Sequence, residues 1–229
     1  MKVVPVRTRV FKESAGLVEF ITAHIPSLVD GSVLAVTSKI VALSEGRTAV
    51  VSNDEEKEKL IRSESERAIP TKYVTLTVKD GMAMANAGID DSNGDGKLVL
   101  LPKDSYKSAA FLRTELAKHY GVKELGILIT DSRVAPLRAG VVGVALGYAG
   151  FSGVHDYRGT PDIFGRPMNI TQTNVADSLA TAATVVMGEG REQQPLAVIE
   201  EAPVEFLDTI TPYELHIAIE DDMYGPLFA

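Results

Sequence analysis

The sequence predicts an α+β protein, an irregular mixed α/β domain, and three observations lead there. Strand-like apolar runs and helix-period segments mix along the chain without regular βαβ alternation. No G-x-G-x-x-G follows a strand and opens a helix, so a Rossmann arrangement has no fingerprint. The 229 residues, 45% hydrophobic, suffice for one large core, and no Pro/Ser-rich or low-complexity linker divides them. We therefore read one domain over residues 1–229, with a small subdomain near the C-terminus.

Taken in order, Ser14 caps a helix through about Ile25, with Leu17, Phe20, Ile21 and Ile25 on one face. Val33–Thr37 reads as a strand that feeds a turn at Ser38-Lys39. Ser52 and Glu55 resemble a capping box for the charged helix Asp54–Arg67, whose Glu and Lys residues mark a solvated face. Tyr73–Val78 alternates as a strand, and Asp104 or Ser105 opens a helix that Gly121 closes after Tyr120. Leu125–Thr130 is a buried strand, Gly140–Tyr148 a glycine-punctuated one, and 152–169 a polar loop. A helix over Val175–Met187 ends at Gly188, and Leu196–Ile199 is a further buried strand.

Composition excludes several functions. The formal charge is −8, and no basic tract or basic-aromatic interleaving occurs, which argues against nucleic acid and against an anionic membrane surface. Zero cysteines exclude disulfides, Cys-based zinc sites and a thiol nucleophile. The N-terminal MKVVPVRTRVF has no apolar h-region, and the longest apolar stretch, Ala139 to Phe151, is short and glycine-broken. Cytoplasm is the expected location.

Candidate chemistry concentrates in two places. Asp131 ends the Leu125–Thr130 run, so its carboxylate is expected at a strand's C-terminal edge, a habitual ligand position in α/β sheets. A second cluster is Asn86-Ala-Gly-Ile-Asp90-Asp-Ser-Asn93. Two carboxylate-bearing loops with neutral oxygen donors, Asn93 and Ser132, suit Mg²⁺ or Mn²⁺ better than zinc. A solvated turn accounts equally for the Asp/Asn/Gly-rich run 90–96. An EF-hand starting at Asp91 fails, because its twelfth position is Pro102 rather than Glu.

Other residues offer ligand contacts with bland alternatives beside them. A turn at Ser38-Lys39 would present N–H groups and an ammonium to phosphates, although no Walker loop is present. Gly188-Glu189-Gly190-Arg191 permits close backbone approach, and an ordinary helix C-cap explains its glycines as well. Arg158 and Arg166 suit a bidentate grip on a carboxylate, or internal pairing with Asp156 and Asp162. The four histidines share no metal-ligand spacing.

The segments SKIVALSEGR (38–47), NAGIDDSN (86–93), ITDS (129–132), GVALGYAG (143–150), DYRGTPDIFGR (156–166) and VADSLATAATVVMGE (175–189) resemble those of coenzyme F420:L-glutamate ligases. The resemblance covers nearly the whole chain, with the six motifs in one order. The resemblance implies an F420-0:gamma-glutamyl ligase-like fold and a homodimer. It implies an enzyme that joins the amine of L-glutamate to an acceptor carboxylate, with GTP (or ATP) and a divalent metal. By the same resemblance Asp90 and Asp131 hold one ion and Ser132 touches a second. Thr8, Arg9, Val10, Phe11, Ser38, Asn93 and the loop Gly188-Glu189-Gly190 meet the nucleotide, beside Lys39. A nucleotide γ-phosphoryl group would activate the acceptor as an acyl phosphate, so no protein nucleophile is expected.

Two departures stand out. Ala42-Leu43 replaces a Ser-Lys pair usual in those ligases, and Arg133-Val134-Ala135-Pro136-Leu137-Arg138 replaces a run of aromatic-Gly-Arg-Pro-Trp-Arg. The second removes an arginine and a flat aromatic suited to a phosphodiester and a deazaflavin ring. Expectations are accordingly a different carboxylate acceptor such as a folate, or a homologue that binds nucleotide and metal without turnover.

Overall fold

A computed structural model describes residues 1–227. Its centre is a five-stranded mixed sheet in the order β1-β12-β2-β8-β9, formed by β1 (Lys2–Val6), β2 (Ser32–Thr37), β8 (Leu125–Val134), β9 (Val141–Ala149) and β12 (Leu196–Glu200). β2 and β8 run parallel, and the other neighbours are antiparallel. Because the side-chain period of a strand is two, β2 sends Leu34 and Val36 to one face and Val33 and Ala35 to the other, all fully buried. The mixed sheet and the helices on both faces fit the α+β expectation.

Helices α1 (Leu17–His24), α2 (Ser38–Ser44) and α4 (Ser105–Tyr120) cover the face that holds Ile127 and Ile129. Helix α5 (Val175–Met187) covers the other, through Ala176, Leu179, Ala180 and Ala183. Small residues let this helix lie close: a Cβ on Gly143 of β9 would collide with the Ala180 carbonyl and the Thr184 hydroxyl.

Between β2 and β8 the chain builds a smaller lobe. It contains β3 (Thr48–Ala49), α3 (Asp54–Ser63), β4 (Arg67–Pro70), β5 (Thr75–Lys79), β6 (Met82–Ala85) and β7 (Leu98–Val99). β4-β5-β6 form an antiparallel sheet, β3 pairs with β7, and Ile61, Ala87, Ile89, Leu98 and Leu100 make a separate core. After β9, β10 (Val154–Asp156) and β11 (Gln172–Asn174) form a hairpin arm. Residues 201–227 are mostly irregular and pack Ala202, Val204, Phe206, Ile210 and Leu215 against the α5 face.

Several boundaries shift, each for a local reason. The first helix begins at Leu17, not Ser14; Ser14 sits at φ +60, outside helical geometry, and caps nothing. Ser38-Lys39 is no turn but the first residues of α2, entered directly from β2. The capping box falls one residue later: Asn53 accepts from Glu56 N–H, and Glu56 reaches back to Ser52 N–H. That helix ends at Ser63 rather than Arg67, because Arg67–Pro70 pairs with β5. Asp104 does cap α4, accepting from Lys107 N–H, and Gly121 closes it at φ +69. The polar loop 152–169 contains the β10 strand and continues into the arm.

Candidate functional site

The pairing of β2 with β8 ends at Thr37–Thr130, and the next residues are Ser38-Lys39, which open α2, and Asp131-Ser132, which continue β8 against β9. Two parallel strands thus deliver the sequence's polar residues to one carboxyl edge, where open sheets bind ligands. Around that edge stretches 8–13, 37–43, 90–97, 130–132 and 184–195 line a cavity of about 840 Å³. That is room for a nucleotide-sized ligand. Every predicted nucleotide residue lines it, Thr8, Arg9, Val10, Phe11, Ser38, Lys39, Asn93, Gly188, Glu189 and Gly190, as do Asp90, Asp131 and Ser132.

The Asp90 backbone is fixed by reciprocal bonds with Val99, 3.0 and 2.8 Å. Its Oδ1 accepts from Ser92 N–H at 2.7 Å, while Oδ2 accepts from the Ser92 hydroxyl at 2.9 Å and from Lys39 Nζ at 2.6 Å. Burial pushes the Asp90 carboxyl up, but these donors outweigh it and hold the group below its ordinary value. Lys39 Nζ also donates to Ser92 O at 2.9 Å and Ser92 Oγ at 3.2 Å.

Asp131 is three-quarters buried, with 25% of its side chain exposed. Desolvation raises its carboxyl above the ordinary range, and the Asp90 charge adds to the rise. Arg133, two residues on and so on the same strand face, places Nη2 3.9 Å from Asp131 Oδ2, beyond hydrogen-bond length. Its side chain is 10% exposed, and Nε and Nη2 are buried without a partner. Glu189 accepts from the Ser132 hydroxyl at 3.2 Å, and its carboxyl is raised by partial burial and by Asp131 and Asp90. Among the described residues no three acidic or imidazole groups are gathered closely enough to hold a metal as they stand. The donor chemistry nevertheless suits a hard cation, since two of the carboxyls are raised by burial and by like charge that a cation would offset.

Loops cross-tie the cavity. Thr8 N–H donates to Gln193 O at 2.9 Å, and Asn93 Nδ2 to Gly190 O at 3.5 Å. Arg9, Lys12 and Arg191 add positive charge to the lining. His24 takes part here too. Its Nε2 accepts from Arg9 N–H at 3.2 Å while Nδ1 meets Phe20 O at 2.7 Å, so it orients the Arg9 segment.

Arg158 and Arg166 are not brought to the site. Arg158 pairs with Asp156 at 2.6 Å and Arg166 with Asp162 at 3.1 Å, both on the arm and outside the cavity lining. Two motif residues also prove to be framework. Arg47 bonds Leu101 O and Glu64, and Asp177 accepts from Ala145 N–H. Ser92, which orders both Asp90 and Lys39, and Glu189 as the partner of Ser132 escaped the sequence reading. The Asp-x-Ser spacing typical of Asx turns is the signal that would have found Ser92.

Residues 5–201 match the family described as F420-0:Gamma-glutamyl ligase. Curated relatives are named coenzyme F420:L-glutamate ligase. The chain is 41% identical to that of Methanococcus maripaludis (strain C7) over 71% of its own length and 64% of the relative's. It is 35% identical to that of Methanopyrus kandleri over 77% of each chain. It is 30% identical to that of Methanocaldococcus jannaschii over 90% of each. The chain thus spans less than two-thirds of the length of the Methanococcus relative.

Proposed function

The chain belongs to the F420-0:gamma-glutamyl ligase family, and from that premise we propose that it is an amide-forming ligase. In this reading a nucleotide, GTP before ATP, phosphorylates an acceptor carboxylate, and the amine of L-glutamate displaces phosphate from the acyl phosphate. The observation that carries it is one cavity at the β2/β8 edge, which joins cationic side chains to an acidic, oxygen-rich wall.

Each residue has a task in this scheme. Ser38, Lys39, Arg9 and the glycines of 188–190 would seat the phosphates. Asp90 and Asp131, with Ser132 and Glu189, would hold Mg²⁺ or Mn²⁺. The bound ion would supply charge neutralisation at the transferring phosphoryl group. Positioning and electrostatics then account for the rate. No helix among the described residues is long and apolar enough to cross a membrane.

The acceptor is proposed to be a carboxylate other than coenzyme F420-0. Supporting this, the chain after Ser132 exposes Val134 at the end of β8 and Leu137 in the following turn, Leu137 fully, where a charged or aromatic grip would be needed. We also propose a homodimer. The hairpin arm carries exposed Ile163, Phe164 and Ile170, and an isolated two-stranded hairpin with an apolar tip is marginal without a partner surface. The deciding experiment measures phosphate release with GTP or ATP, glutamate and a panel of acceptors including F420-0 and folates. Efficient use of F420-0 with the others inert would restore the family's acceptor; no turnover with any, alongside nucleotide binding, would favour a non-catalytic homologue.

A further inference from the structure

We propose that Lys39 is a tethered cation that occupies the Asp90 seat and must be exchanged for the metal, so that nucleotide and metal enter the site interdependently. This rests on the nucleotide- and metal-dependent reading above.

The ammonium has three donors, and three oxygens take them: Asp90 Oδ2 at 2.6 Å, Ser92 O at 2.9 Å and Ser92 Oγ at 3.2 Å. An all-oxygen cradle of this kind is what a hard cation seeks. The cradle does not depend on the lysine for its shape. Ser92 N–H and Oγ–H hold both Asp90 oxygens, and the Val99 bridge holds the backbone. Withdrawing the ammonium therefore leaves the carboxylate in place.

Seated in this cradle, the ammonium places beside Asp90 the positive charge that a divalent ion would bring. Two cations cannot share one seat, so an ion arriving at Asp90 and Asp131 must displace the ammonium or bind weakly beside it.

The lysine has somewhere to go. Its root is fixed in the first turn of α2, between buried Ser38 and Ile40, but four methylenes give the head reach into the same cavity. A polyphosphate lodged there offers the ammonium a new anionic partner and frees Asp90. Coupling of this sort is reciprocal: if nucleotide tightens metal binding, metal tightens nucleotide binding by the same factor.

Mn²⁺ titrations followed by electron paramagnetic resonance test this without turnover. In the wild-type protein a saturating non-hydrolysable GTP analogue is expected to tighten Mn²⁺ binding about tenfold or more. In Lys39→Met, Mn²⁺ alone binds about tenfold tighter than in wild type, and the analogue's effect shrinks to within about threefold. Lys39→Gln, which keeps a donor without the charge, shifts in the same direction. Equal Mn²⁺ affinity of the variants and wild type without nucleotide overturns the exchange while leaving the metal reading intact. Mn²⁺ binding by none of the three proteins, with or without the analogue, overturns both.

Discussion

Arg133 and Asp131 share one face of β8 with their charges 3.9 Å apart, close enough to attract and too far to bond, and two of the guanidinium nitrogens lack a hydrogen-bond partner. The arginine restrains the rise of the Asp131 carboxyl without abolishing it. Arg133→Met removes that restraint, so Asp131 titrates higher still. A metal needs the ionised carboxylate. The pH profile of Mn²⁺ binding should therefore move to higher pH in the variant; superimposable profiles between about pH 5 and 8 would sink this assignment.

Glu64 accepts from Arg47 at 2.7 Å and Lys79 at 3.0 Å with 18% of its side chain exposed. Burial works against its charge, but the two cations outweigh it and hold the carboxyl below the usual range. A depressed folded-state value means stability that is present above the unfolded value near 4.5 and lost as pH falls through the folded one. Glu64→Gln should cost about 1–2 kcal/mol at neutral pH, between the values for exposed and buried pairs, and the deficit should vanish in acid. Urea midpoints measured at pH 7 and at successive steps below the unfolded value check both halves.

Asp90→Ala and Asp131→Ala should each abolish ligation while the fold survives, since neither carboxylate is part of the hydrophobic core. The loss expected is several kcal/mol of transition-state stabilisation. A folded variant, judged by circular dichroism, that kept near-normal turnover at limiting Mg²⁺ would contradict the assignment.

Gly147 of β9 faces the start of α4, and a Cβ there would come within 2.5 Å of the Ser105 backbone carbon and 2.6 Å of Tyr106 N. Backbone cannot yield as a side-chain tip can. Gly147→Ala should therefore destabilise by about 1–3 kcal/mol or more through overpacking. An unchanged melting temperature would show that α4 sits farther from the sheet than described.

Helices with local punctuation were legible residue by residue: Asp104 and Gly121 bracket α4, and α5 begins and ends where its periodicity does. Apolar runs likewise revealed β2, β8 and β12, because strands buried on both faces need no alternation. β1 escaped, since Lys2–Val6 is short and pairs with a strand near the other end of the domain. So did the pairings of the small lobe, where two-residue strands such as β3 carry no periodic signal. In the candidate site, the residue types and their strand-end position were readable. What a linear chain does not display is which charges meet, and so the cross-ties Lys39–Asp90, Glu189–Ser132 and His24–Arg9 required the fold.

The strand order β1-β12-β2 has a consequence for how the molecule comes into being on the ribosome. β2 is flanked by β8 and β12, and β1 pairs with β12. In the central sheet β2 finds no partner until Leu125–Val134 has emerged, and β1 waits for Leu196–Glu200. At ordinary elongation rates that is on the order of ten seconds, during which β2, apolar from Val33 to Val36, is an open edge on a nascent chain. Such a topology of distant contacts folds slowly and late. Overproduction should accordingly be limited by aggregation of incomplete chains, and slowing translation or adding a holdase chaperone should recover more active protein than stabilising the finished fold.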